Sequence, residues 1–112
     1  MEGLSLPSLA QEHLAVARAA SSGRSAATVH GGHEHPLRQT LIALAQGRAL
    51  DEHESPDEAT LLVLTGRVRL RAGDADWEGA EGDYLVIPPA RHDLTALEDS
   101  AVLLTVANRL GS

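Results

Sequence analysis

The chain has no cysteine, no phenylalanine and no lysine, and its aromatic rings other than histidine are Trp77 and Tyr84 alone. Without cysteine there are no disulfide staples, no thiolate nucleophile and no Cys-ligated zinc, and the composition fits a reducing compartment. Two aromatic rings are too few for a base-stacking platform. All nine basic residues are arginines, set against 16 acidic ones, for a formal net charge of −7. Such a surface repels a polyanion, which argues against nucleic-acid binding. No stretch approaches the roughly 20 apolar residues of a membrane span. The opening MEGLSLPSLAQEH has neither the charged nor the unbroken apolar region of a secretory signal. Together these absences predict a cytoplasmic protein that engages neither nucleic acid nor membrane.

With 112 residues, the chain is long enough for one domain to bury most of its apolar surface unaided. One helix is predicted over residues 8–20. Ser8 and Gln11 have capping-box spacing, Pro7 suits a helix entrance, and Leu9, Leu14, Val16 and Ala17 form an apolar side. Ser21, Ser22 and Gly23 end it. Short β-type runs follow, separated by Gly, Pro and Asp: 26–30, 38–45, 59–65, 68–72, 75–79, 84–87, 92–97 and 101–108. The pattern predicts an all-β fold, closed or sandwiched. Residues 1–24 supply a helix and linker packing on a barrel of residues 25–112.

Gly73-Asp74 marks a hairpin tip, because this dipeptide supplies the positive φ angles of a two-residue primed turn. Pairing Ala72 with Ala75 sets Arg71 opposite Asp76 and Arg69 opposite Glu78 on one face, and Leu70 opposite Trp77 on the other. The arginine stripe is thereby predicted to be a solvated, charge-paired surface.

Two blocks carry chemistry. In the first, Gly47, His53, Ser55, Ala59 and Gly66 stand at fixed intervals; in the second, Gly82, Pro88, Ala90 and His92 do. Over residues 38–106 they resemble the paired motifs of the cupins, which run glycine, His-x-His, glutamate, glycine and then glycine, proline, glycine, histidine. Ser55 and Ala59 occupy the places of the second histidine and the glutamate. Ala90 replaces the second glycine, and His92 comes one residue early. The resemblance implies a small RmlC-like jelly-roll barrel with degenerate metal-binding motifs, of a kind that is frequently a homodimer. The apolar run Ala101–Ala107 and the N-terminal helix are candidate contact surfaces, or equally core.

Cupins that bind iron, manganese, nickel or zinc use three imidazoles and one carboxylate, a donor set suited to borderline cations. Here the resemblance assigns His53 and His92 as metal ligands, with Glu58 or His35 as further candidates and Ser55 and Ala59 as pocket wall. If His53 faces inward, strand alternation gives Ser55, Ala59, Leu61, Val63 and Thr65 the same parity, and an inward His92 brings Leu94 and Ala96 with it. The acidic run 51–58 is a solvated turn or a source of borrowed ligands. The tract His30, His33, His35 is a mobile loop or a second metal-binding cluster. The expected function is a barrel binding a divalent metal or small polar ligand at His53 and His92. A metal-dependent dioxygenase or isomerase with non-standard ligands, and a ligand-free regulatory or structural barrel, are the alternatives.

Overall fold

The computed structural model describes residues 1–32, 34–53 and 58–107, the side chains of Glu52 and His53 excepted. Helix α1 spans Leu6–Ala19, and its cap is Ser5 rather than Ser8: the Ser5 side chain accepts a hydrogen bond from the Ser8 N–H at 3.3 Å. Starting earlier places Pro7 in the first turn, where its missing N–H costs no helical bond. Ala10, Leu14 and Ala17 form the buried stripe, at helical spacings of four and three. Val16, one position short of that stripe, is 50% exposed, so the predicted apolar side is rotated by about one residue.

The strands are β1 Arg24–His30, β2 Leu37–Leu44, β3 Ala49–His53, β4 Glu58–Thr65, β5 Arg67–Ala72, β6 Ala75–Ala80, β7 Tyr84–Val86, β8 His92–Ala96 and β9 Ser100–Ala107. The sequence pattern missed only β3. Its acidic residues suit an edge strand facing water, so part of the run predicted as a turn is instead paired with β8.

All ladders are antiparallel and fall into two sheets, ordered β1-β2-β9-β4-β7 and β3-β8-β5-β6. From β2 onward the chain passes repeatedly between the sheets, the β5–β6 hairpin being the one stay within a sheet. This is the strand order of a jelly roll, an all-β sandwich with one helix. Among the described residues no ladder joins the two sheets into a closed cylinder.

The main core lies between the sheets, with Leu61 and Val63 of β4 meeting Val68 and Leu70 of β5 and Leu94 and Ala96 of β8. A second layer under α1 packs Ala10, Leu14 and Ala17 on Leu41, Ala43 and Ala101. Strands β2 and β9 are therefore covered on both faces. The apolar run of β9, flanked by β2 and β4, is core and not a free contact surface; the same holds for the apolar stripe of α1. A side chain buried as deeply as Leu41 or Val102 contributes about 1.5–3 kcal/mol.

The hairpin has the predicted register, with Arg71 opposite Asp76, Arg69 opposite Glu78 and Leu70 opposite Trp77. The ion pairs are long, 3.8 Å for Arg69–Glu78 and 4.0 Å for Arg71–Asp76, and exposed, so each adds less than about 1 kcal/mol. Gly73 has φ +60°, but Asp74 does not take a positive φ. That is the sign pattern of a type II′ turn, where the dipeptide alone suggested positive φ at both places. Gly66, at φ +87°, is more constrained, because a Cβ there would meet Ser100 Oγ and the Asp99 carbonyl.

Candidate functional site

The chain enters β8 through Pro88 and Pro89, and its first residue, His92, is 3% exposed. His92, Leu94 and Ala96 are all buried, and on β4 so are Ala59, Leu61 and Val63, the described strand residues predicted to share their side. Thr65 is half-buried beyond an irregularity that follows Val63.

His92 Nδ1 lies 2.9 Å from the Ala90 carbonyl. A carbonyl only accepts, so Nδ1 carries the proton, and in the neutral ring Nε2 is the nitrogen with the lone pair. Such a backbone contact fixes the tautomer and orientation of an imidazole that acts through its other nitrogen. The ring borders a small, partly open cavity of about 20 Å³, whose other described lining includes Ile42, Leu50, Leu61, Leu70, Ile87, Leu94 and Leu104. That volume is about one water.

His53 ends β3 directly opposite His92. The ladder is irregular just before it: Leu50 pairs with Leu94, and the next described pair is His53 with His92. Three steps along β3 thus match two along β8, which is a β-bulge, a device that realigns a residue near its site. The bulge is what aligns the two histidines. The side chain of His53 and the whole of Ser55 lie outside the described residues.

Among the other candidates, Ala59 is 3% exposed and offers no donor atom. Glu58 precedes it on β4 and is exposed. His35 is exposed in the β1–β2 connection, its ring centroid 5.4 Å from that of His30. Among the described residues no three His, Cys, Asp or Glu side chains gather as a metal cluster.

Two polar links escaped the sequence reading because their partners are far apart in the chain. His13 Nδ1 is 2.6 Å from Ser25 Oγ, tying α1 to β1. Asp99 accepts from Arg18 Nε at 2.7 Å and from the Gln46 N–H at 2.8 Å, fastening the helix end to two turns of the sandwich. The Arg18 hydrogen bond, the Gln46 N–H and the Arg18 charge hold the Asp99 carboxyl below its ordinary 3.8.

No family model matches the sequence, and no curated protein does. Solved structures do. An RmlC-like cupin protein from Desulfovibrio desulfuricans is 26% identical, with a TM-score of 0.66 over 75% of this chain and 81% of its own. A cupin-2 conserved barrel domain protein from Salinispora arenicola, at 20% identity, covers 96% of this chain and 89% of its own with a TM-score of 0.69. A cupin superfamily protein from Desulfitobacterium hafniense aligns at 16% identity with a TM-score of 0.70, covering 77% of this chain and 78% of its own. By fold, the chain is a small cupin. Within this fold, a metal centre of three imidazoles and a carboxylate does not fit the described residues. The glutamate place holds buried Ala59, and the cavity beside His92 is walled by aliphatic side chains. No helix among the described residues is long and apolar enough to cross a membrane.

Proposed function

We propose that this cupin is a binding barrel that holds one small polar occupant, a divalent transition metal ion or a compact polar ligand, between His53 and His92. The observation that supports it is the direct cross-strand pairing of the two histidines. Directly opposed residues of an antiparallel ladder share a sheet face, and His92 is on the inner one. An ion held there by two imidazoles alone is weakly bound and exchangeable.

A dioxygenase or isomerase would need a carboxylate beside the histidines and room for an organic substrate. Glu58 is exposed and the cavity has about the volume of one water, so the binding reading has the stronger support. The test is elemental analysis of untagged protein, with His53→Ala and His92→Ala beside it. Iron, manganese, nickel or zinc retained by the parent and lost in both variants supports an ion. A metal-free parent with no ligand-induced change in stability favours a ligand-free barrel.

The assembly proposed is a homodimer. Tyr84 and Val86 are 60% and 62% exposed on β7, an edge of the five-stranded sheet. Exposed apolar side chains on an open strand edge are a natural contact surface. Sedimentation at micromolar concentration should give dimer mass, lost in Val86→Lys. Monomer mass for the parent would refute it.

A further inference from the structure

We propose that His30 and His35 form a second metal site, on the outside of the sandwich and separate from the inner histidines. Their ring centroids are 5.4 Å apart, with ring planes at 73°. Two imidazoles bound to one tetrahedral ion, each nitrogen about 2.0–2.1 Å from the metal, keep their ring centres about 5 Å apart. The centroid separation is close to that of a chelated pair, and the rings stand edge to face, so an ion is held once the two exposed imidazoles turn a nitrogen each toward it.

Backbone features hold it there. Gly31 turns the chain out of β1 at φ +93°, where a Cβ would meet the Leu37 carbonyl, and the His35 N–H donates to the Gly32 carbonyl at 3.2 Å. Pro36 stiffens the return into β2. On the strand side, Thr28 pairs with Thr40, and the next described pair is His30 with Gln39. A regular ladder would have paired His30 with Arg38. The bulge instead sets Val29 and His30 together at an outer depression of about 550 Å³, shared with Leu37, Gln39 and the N-terminal Glu2 and Leu4.

Val29 belongs to the layer under the helix, whereas His92 is buried between the sheets. The outer pair is therefore a different site from the inner one. Two neutral imidazoles with water in the remaining positions suit borderline divalent ions, Cu²⁺ most strongly, then Zn²⁺ and Ni²⁺. A chain of net charge −7 favours their approach.

The test is nuclear magnetic resonance of the untagged, EDTA-stripped full chain with substoichiometric Cu²⁺. Paramagnetic loss of backbone amide signals is expected at Val29, His30 and His35, and it should vanish in His30→Ala and in His35→Ala. Signal loss confined to the neighbourhood of Leu94 would belong to the inner histidines and would overturn the outer assignment. So would broadening at His30 that survives both substitutions. Both side chains are exposed, so the variants keep the fold, which the remaining amide signals verify.

Discussion

His53 and His92 are direct cross-strand partners, although Leu50, which is also in register with β8, lies an odd number of positions before His53. In a regular strand that spacing would put Leu50 and His53 on opposite faces. The extra residue in β3 instead brings the His53 backbone into register with His92. Without it, Glu52 would stand opposite His92 and His53 would slide toward Arg91.

Deleting Asp51 should therefore preserve the histidine pair, because the shortened strand reaches His92 in regular register. The cross-strand proton contact between His53 and His92 is expected both in the parent and in the deletion variant. Transfer of that contact to Asp93 or Arg91 in the variant would show that the bulge does not set the alignment.

Two turn glycines separate backbone strain from steric contact. Gly73 and Gly66 both have positive φ, but a Cβ at Gly73 meets nothing within 4 Å, while one at Gly66 meets Ser100 and Asp99. Ser100 Oγ is also committed, accepting from the Arg67 N–H at 3.0 Å and lying 2.7 Å from the Glu98 carbonyl, so it cannot easily yield. Gly73→Ala should cost about 1 kcal/mol and Gly66→Ala about 2–4 kcal/mol in urea unfolding. Equal costs would mean that the close approach contributes nothing.

Local signals made most of the fold legible. Gly73-Asp74 and the alternating Arg69, Arg71, Asp76 and Glu78 defined a hairpin whose register the structure reproduces. The motif glycines Gly47, Gly66 and Gly82 all take positive φ, as turn residues should. Strand β3 was illegible because Asp51 and Glu52 have low strand propensity, and pairing with β8 overrides it. The helix start was displaced because Ser5 and Ser8 are both acceptable caps, and only the first leaves Pro7 inside the opening turn. At the site, burial of His92, Leu94 and Ala96 followed from alternation, whereas the bulges that align His53 and His30 leave no mark in the sequence. Asp99 was invisible for a different reason: Arg18 and Gln46 are brought to it only by the tertiary fold.

The Asp99 node gives a pH dependence of known sign. Its folded carboxyl titrates below 3.8, so its contribution is present above the unfolded carboxyl's range and is lost as pH falls through the folded value. With its side chain 35% exposed and Arg18 53% exposed, the ion pair adds no more than about 1 kcal/mol. Thermal unfolding of Asp99→Asn should lie below that of the parent at pH 6, and the gap should close as pH falls below the ordinary 3.8 and through the lowered folded value. A gap that persists undiminished at low pH would mean that the carboxylate charge is not what fastens the helix.

Ala59 offers the sharpest test of the inner site, because the cupin resemblance assigns its place to a carboxylate ligand. It is 3% exposed on the core face of β4, and its carbonyl accepts from the Ile87 N–H at 2.9 Å, so the backbone there is held. In metal-free buffer, Ala59→Glu should lower stability by about 3–5 kcal/mol, since it buries an uncompensated carboxylate. If His53 and His92 face the same space, the new oxygen donor completes a three-ligand set. Mn²⁺ or Zn²⁺ should then restore stability by mass action, by about 2.7 kcal/mol at a metal concentration 100 times the dissociation constant. Adding His92→Ala should abolish that recovery while leaving the cost of the buried carboxylate. Recovery that is independent of His92 would place the ion elsewhere. No recovery at millimolar metal would show that Ala59 does not border the histidine pair, and the proposed pocket would lose its first-motif wall.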